Sequence, residues 1–146
     1  MRSEISIWID ASPDAVFPLV ADLPRWPERL PHYRYVRVLG ESNGETLAAM
    51  SARRGPIPVF WHAVQTPDRA ARRIRFRHVR GITRGMDVLW TLDPERGGTR
   101  ARILHELDLT WPWIGSWVAE QVIGRGFIHP IASRTLARFK AIAETA

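Results

Sequence analysis

The sequence predicts an α+β fold in which a curved, seven-stranded antiparallel sheet wraps around a long C-terminal helix, with two short helices between the first and second strands. Three observations predict it. Residues 1–40 have the pattern of a strand, two short helices and a second strand. Residues 33–109 consist of short alternating segments separated by turn residues. After residue 113 the hydrophobic residues recur with a helical period. A sheet in this order can curl around the helix and leave a hollow, so we expect a fold that holds a hydrophobic small molecule.

Length and composition predict one domain over residues 1–146, with 45% hydrophobic and 25% charged residues. No apolar run approaches the ~20 residues of a membrane-spanning helix. The first residues, MRSEIS, lead directly into a strand pattern, so we expect no signal peptide. The absence of cysteine excludes disulfides, thiolate metal sites and cysteine nucleophiles. We therefore expect a cytoplasmic protein.

The first strand and helix have clear local signals. Isoleucines at every second position of Glu4–Ile9 have the period of a half-buried strand. Ser12 offers a capping hydroxyl, Pro13 a preset first-turn φ, and Asp14 a negative charge at the positive end of the helix. Pro18 then predicts a helix that is short or kinked. Three further prolines divide the following segment into brief pieces: Pro24, Pro27 and Pro31.

A meander of six strands follows, separated by glycine, proline, asparagine and aspartate. An Asn43-Gly44 pair between the first two of these strands is a strong hairpin signal. Regularly spaced short strands indicate an antiparallel sheet. The predicted strands are Tyr33–Leu39, Thr46–Arg53, Val59–Thr66, Arg72–Val79, Met86–Leu92 and Thr99–Leu109.

The helical period after Trp111-Pro112-Trp113 is interrupted at Gly124, Gly126 and Pro130. A proline ring collides with the carbonyl group four residues earlier, and here that residue is a glycine, which lets the backbone adjust. We interpret the segment as one long kinked helix; two helices meeting near residues 124–126 are the alternative. The predicted buried face comprises Ile114, Trp117, Val118, Gln121, Ile128, Ile131, Ala132, Thr135, Leu136, Phe139 and Ile142.

Alternation also predicts which strand residues face the hollow. In the last strand the more apolar face carries Ala101, Ile103, His105, Leu107 and Leu109. By the same logic, the inward residues of two preceding strands are Ile74, Phe76, His78, Met86, Val88, Trp90 and Leu92.

Several motifs resemble one known superfamily. They are Ala11–Phe17, Asp22–Glu28, Tyr33, Trp61, Thr66–Asp68, Trp90 and Gly98-Thr99. The chain is similar over its whole length to the START-like (SRPBCC, helix-grip) superfamily, and within it most resembles bacterial polyketide cyclase/dehydrase (aromatase/cyclase) domains. The resemblance implies a helix-grip fold with a cavity between sheet and C-terminal helix. Members bind sterols, lipids, quinones, plant hormones or polyketide intermediates.

The resemblance and the alternation together predict the cavity lining. Trp61, Ala63 and Gln65 point inward by resemblance, and Trp26 and Tyr33 fall at positions that line the pocket of aromatase/cyclases. Where those enzymes commonly hold a serine and an arginine, this chain has Ala63 and Gln65, so an anion anchor must come from Arg53, Arg80 or His105. The expected ligand-binding residues are Trp26, Tyr33, Trp61, Gln65, His78, Trp90 and His105. Tyr33 and His105 are the candidate catalytic residues; the alternative for each aromatic and histidine is an ordinary core position.

Two functions follow from this resemblance. One is a polyketide cyclase-like enzyme or binding protein for a polycyclic ligand. The other is a non-catalytic carrier of lipid or quinone, of the coenzyme Q-binding type, that meets an anionic membrane through Trp111, Trp113 and surface arginines.

The net charge of +6 comes from arginine, since Lys140 is the only lysine. The arginines are spread along the chain with a local peak at Arg69–Arg80, and we interpret the excess first as compositional. Contact of this strand with anionic lipid head groups is the alternative. Nucleic-acid binding is disfavoured, because Phe76 is the one aromatic residue in that stretch and faces inward.

No metal or cofactor is expected. The histidines, His32, His62, His78, His105 and His129, lack metal-ligand spacing, and no nucleophile elbow, Walker loop or dinucleotide fingerprint occurs.

Overall fold

The computed structural model describes residues 2–107 and 121–145. In these residues β1 is followed by α1, a 3-10 turn and α2, then by six strands and a C-terminal helix. The bounds are β1 Arg2–Ile9, α1 Pro13–Ala21, the turn Leu23–Arg25, α2 Trp26–Arg29, β2 Tyr33–Ser42, β3 Glu45–Arg54, β4 Ile57–Asp68, β5 Arg73–Gly81, β6 Asp87–Glu95 and β7 Gly98–Glu106. A π-helical stretch, Gln121–Ile128, continues into α3, His129–Thr145. The predicted Trp111, Trp113, Leu109 and residues 114–120 lie outside the described residues.

The strands form one curved antiparallel sheet in the order β1-β7-β6-β5-β4-β3-β2. Each strand from β2 to β6 pairs with the next along the chain, and β1 pairs with β7. Asn43 and Gly44 have φ values of 51° and 77°, the left-handed geometry of a tight hairpin. The predicted helix-grip fold is therefore confirmed. The strand boundaries differ by a few residues; β2, for example, continues past Leu39 through a register shift at Val38/Gly40.

The start of α1 follows its sequence signals. The Ser12 hydroxyl accepts a hydrogen bond from the Ala15 amide at 3.2 Å, and Pro13 occupies the first turn. Pro18 lies inside the helix, which ends three residues later at Ala21. Its apolar face is buried through Val16, Phe17 and Val20. The prediction of a short helix is confirmed.

Side chains satisfy the last carbonyl groups of α1, after the backbone N–H of Asp22 has donated to Pro18. A helix leaves its last carbonyl groups without intrahelical donors, and Pro24 has no N–H to offer to the carbonyl group of Val20. The Trp26 indole donates to that oxygen at 2.9 Å. The neighbouring carbonyl group of Ala21 accepts from the Gln65 amide at 3.1 Å. Two residues predicted to bind ligand therefore stabilise the fold directly.

The C-terminal helix is continuous over the described residues. Gly124, Gly126 and Pro130 are accommodated by wide π-helical winding, which relieves the clash between the proline ring and the preceding turn. Two separate helices meeting at the glycines, the alternative, do not occur. The buried face matches the prediction at Ile128, Ala132, Thr135, Leu136 and Phe139, whereas Ile142 is half-buried and Ala143 is buried. No helix among the described residues has the length and hydropathy to cross a bilayer.

Candidate functional site

A cavity of about 90 Å³ lies between the concave face of the sheet and the C-terminal helix. Six of the seven predicted ligand-binding residues line it: Trp26, Tyr33, Trp61, His78, Trp90 and His105. The helix contributes apolar side chains from Phe127 to Ala132, and most of the remaining wall is aliphatic or aromatic. The inward-facing predictions for the described parts of β4 to β7 are confirmed by burial. The cavity is therefore apolar, with a few polar groups at defined points.

Trp26 is the centre of the aromatic wall. Its ring packs edge-to-face against Tyr33, with centroids 5.2 Å apart, and against Phe139 at 5.7 Å. Phe76 and Trp90 complete the cluster at 5.6 and 6.3 Å. Such packing fixes the ring beyond what area burial alone provides, so Trp26 is at once a core residue and part of the cavity wall.

His78 is held by two contacts at the end of β5. Its imidazole stacks on the Trp61 indole with an interplanar angle of 6°, and its Nδ1 lies 2.7 Å from the Thr83 hydroxyl. Burial, with a smaller contribution from the positive charge that His105 can carry, lowers the pKa of His78 to about 3. His78 is therefore neutral near pH 7. Sequence reasoning missed Thr83, since a residue in an irregular loop has no periodic signal.

His105 faces the cavity from β7 with unused hydrogen-bonding capacity. Its Nδ1 atom is buried and has no hydrogen-bond partner among the described residues. Burial, and to a lesser extent His129, lower the pKa of His105 to about 4. Buried polar atoms are normally paired, so an unpaired nitrogen in a cavity wall is an available contact for a ligand.

A third polar group joins β2 to the C-terminal helix. The His32 Nε2 atom lies 2.9 Å from the Thr135 hydroxyl, which donates to the Ile131 carbonyl group at 2.8 Å. Because the Thr135 hydroxyl donates its proton to Ile131, the His32 nitrogen is the donor in the bond between them.

Tyr33 keeps its proton. Burial raises the pKa of its phenol well above the ordinary value, and a hydrogen bond with Thr135 opposes this effect only in part.

Comparisons with known proteins agree with this geometry. A family model for polyketide cyclase/dehydrase and lipid transport matches residues 9–139. The chain belongs to this family. No curated protein sequence matches it significantly.

Solved structures share the fold of this polyketide cyclase/dehydrase family member at low sequence identity. The Zhui aromatase/cyclase from a Streptomyces species superposes with a TM-score of 0.85 at 17% identity, covering 99% of this chain and 93% of that one. The protein TTHA0849 from Thermus thermophilus gives 0.83 at 20% identity, with 98% and 97% covered. A START superfamily protein from Mycobacterium smegmatis gives 0.73 at 14% identity, with 97% and 98% covered.

The cavity of this family member contains no arginine among the described residues. Gln65 is buried but absent from the cavity lining, because its amide is used by the end of α1. Ala63 is buried at 1% exposure and offers no polar group. Arg53 and Arg80 are exposed and do not line the cavity. Of the groups suggested to replace an arginine anchor, His105 alone reaches the cavity, and it is neutral.

A metal site is not formed by the described residues. No group of three or more histidine, aspartate or glutamate side chains among them is arranged to hold an ion.

Proposed function

We propose that this protein binds an uncharged, hydrophobic small molecule carrying a carbonyl or hydroxyl oxygen, and that His105 hydrogen-bonds to that oxygen. The observation that carries the proposal is the unpaired Nδ1 atom of His105, a residue that lines a mostly apolar cavity. The membership of the chain in the polyketide cyclase/dehydrase and lipid transport family supports a ligand of this class.

The ligand is uncharged where it enters the cavity. Tyr33, His78 and His105 are neutral near pH 7, and no arginine or carboxylate lines the cavity among the described residues. An ionised group buried without a partner is strongly disfavoured.

The cavity is smaller than typical ligand pockets, which measure about 300–1,000 Å³. A ligand of that size must therefore widen the space between the sheet and the helix.

Binding without proton abstraction is favoured over base catalysis. Lowering the pKa of His105 from 6.5 to about 4 makes its protonated form less stable by about 3 kcal/mol. A general base is most effective with a pKa near the working pH. His105 is thus suited to hydrogen bonding rather than to removing a proton from a carbon acid. This supports a carrier of a neutral lipid or quinone-like molecule.

Cyclase chemistry is the second candidate, and Tyr33 favours it. A phenol that stays protonated in an apolar wall can donate a hydrogen bond to a developing enolate oxygen. In this version Tyr33 is the donor and His105 the acid/base. Turnover of a ketide substrate would then fall in both Tyr33→Phe and His105→Leu, with folding preserved.

Organic extraction of the purified protein, followed by mass spectrometry, tests the choice. We expect a neutral, oxygen-bearing hydrophobic molecule. Recovery of an isoprenoid quinone or other lipid favours the carrier and contradicts the cyclase. The recovered molecule is then titrated by tryptophan fluorescence: His105→Leu should bind it about tenfold more weakly, the effect of one lost hydrogen bond. His62→Leu, on the outer face of β4, is the matched control. Equal affinity of wild type and His105→Leu would contradict the assignment of His105.

A further inference from the structure

Two large apolar side chains are exposed at one end of the sheet. Ile57, at the start of β4, is 48% exposed, and Ile82, just after β5, is 45% exposed. Phe60 is also exposed, but it lies on the outer sheet face, where the Arg34 guanidinium is 5.2 Å from its ring. The strands β4 and β5 are neighbours, and Trp61 pairs with Gly81, so these side chains belong to one end of the structure. Exposed apolar groups gathered in one place commonly mark an interaction site.

Arginines lie between these apolar side chains. Arg54, the last residue of β3, pairs with Ile57 across the turn, and Arg80 and Arg84 flank Ile82. All three are exposed, and none forms an ion pair with a described residue. The segments 53–62 and 79–86 contain no aspartate or glutamate. We call Arg54, Ile57, Arg80, Ile82 and Arg84 the rim surface.

The arginines of the outer sheet face differ in their partners. Arg73 lies 3.1 Å from the carboxylate of Asp93, and Arg102 lies 3.3 Å from the same carboxylate. Arg100 is paired with Glu95 at 2.8 Å. Carboxylates therefore neutralise part of the positive charge on that face. The rim surface has no carboxylate partner among the described residues.

The rim surface adjoins the cavity. Ile82 immediately precedes Thr83, which lines the cavity, and Ile57 lies two residues before Val59, which also lines it. Whatever the rim surface contacts is therefore close to the bound ligand.

We propose that the rim surface docks this protein onto an anionic phospholipid bilayer. Guanidinium groups bind lipid phosphates, and each basic residue near an anionic surface adds to the attraction. The apolar side chains between them enter the boundary between head groups and acyl chains. An acidic protein would neutralise the arginines equally well, but it would not require exposed apolar side chains between them, one at the start of β4 and one in the loop after β5. The inference goes beyond ligand binding and holds whichever ligand the cavity takes.

Vesicle co-sedimentation tests the proposal. The intact protein is mixed with vesicles of phosphatidylcholine alone or of phosphatidylcholine with about 30% phosphatidylglycerol. We expect binding to the anionic vesicles, little binding to the neutral ones, and weakening with added salt. The triple variant Arg54→Gln, Arg80→Gln, Arg84→Gln should bind at least about tenfold more weakly. The double variant Ile57→Ser, Ile82→Ser should retain salt-sensitive attraction but dissociate at a lower salt concentration.

The triple variant Arg69→Gln, Arg75→Gln, Arg77→Gln is the matched control. It removes the same charge from exposed positions away from the rim surface and should bind vesicles nearly as wild type does. If both triple variants lost vesicle binding to the same extent, the proposal would be wrong, and net charge alone would explain the attraction. Binding to soluble poly-glutamate without binding to anionic vesicles would also overturn it, in favour of an acidic protein partner. Circular dichroism confirms that each variant is folded.

Discussion

The imidazole of His78 lies parallel to the indole of Trp61, with ring centroids 5.6 Å apart and 6° between the ring planes. The same imidazole is 2.7 Å from the Thr83 hydroxyl. His78 thus connects the cavity wall formed by β4 to the loop after β5. Burial keeps this imidazole neutral near pH 7, because it lowers the pKa of His78 to about 3.

Mild acid should destabilise the protein through its buried histidines. His32, His78 and His105 have folded-state pKa values of about 4, 3 and 4, against about 6.5 when unfolded. The unfolded chain therefore binds more protons below pH 6.5, and stability is lost as the pH falls from there toward 4. At pH 5 each fully buried histidine accounts for about 2 kcal/mol.

Urea unfolding at pH 7 and pH 5 measures this loss. In His78→Asn, which retains a group able to bond Thr83, the difference between the two pH values should shrink by roughly one histidine's share. His62→Asn is the matched control on the outer sheet face and should keep the wild-type difference. A pH dependence identical in all three proteins would contradict the buried neutral state of His78.

Gln65 should affect stability and not ligand affinity. Replacing it by leucine removes the donor of the half-buried carbonyl group of Ala21, which costs about 1 kcal/mol. Denaturant unfolding measures the loss, and fluorescence titration with the extracted ligand measures affinity. We expect an unchanged dissociation constant. If the variant bound the ligand clearly more weakly but unfolded like the wild type, Gln65 would be a ligand-binding residue after all.

Trp26→Phe should destabilise more than Trp90→Phe. Both substitutions shorten an aromatic side chain in the cavity wall, but Trp26 also donates its indole N–H to the carbonyl group of Val20. Pro24 cannot replace that donor, so the carbonyl group loses its partner. We expect the Trp26 variant to lose about 1–3 kcal/mol more than the Trp90 variant in urea unfolding. Equal losses would show that the hydrogen bond contributes little.

Gly98 is required by close packing where β7 begins beside β1. A Cβ atom there would meet the carbonyl oxygen of Ile9 and the ring of Trp8. Gly98→Ala should therefore lower the free energy of unfolding by about 1–3 kcal/mol through overpacking. Gly40→Ala is the control, because nothing lies within 4 Å of a Cβ at that position. If the two variants had the same melting temperature, the close contact at Gly98 would not matter for stability.

The positive charge illustrates where local sequence information ends. The peak at Arg69–Arg80 indicated Arg73, Arg75 and Arg77 as a possible lipid contact. Arg73 is bound to Asp93 from the adjacent strand, whereas Arg75 and Arg77 form no ion pair with a described residue. The unpaired Arg54, Arg80 and Arg84 are separated in sequence and share an end of the sheet only after β4 and β5 pair. Pairing of charges is decided by non-local neighbours, which a count along the chain does not include.

The sequence by itself determined the elements and the faces of the strands. Ser12 and Pro13 begin α1, Asn43-Gly44 makes the hairpin, and alternation correctly placed His78 and His105 inward, because each signal depends on a few consecutive residues.

Only the tertiary structure decided how the polar ends of long side chains are used. Gln65 is buried, as the family resemblance implied, yet its amide bonds to the end of α1, far away in sequence. His105, equally inward, lines the cavity and is left with an unpaired Nδ1 atom. Periodicity gives the direction of a side chain, but its hydrogen-bond partner depends on which distant backbone groups lack one, and that is settled when sheet and helices pack together.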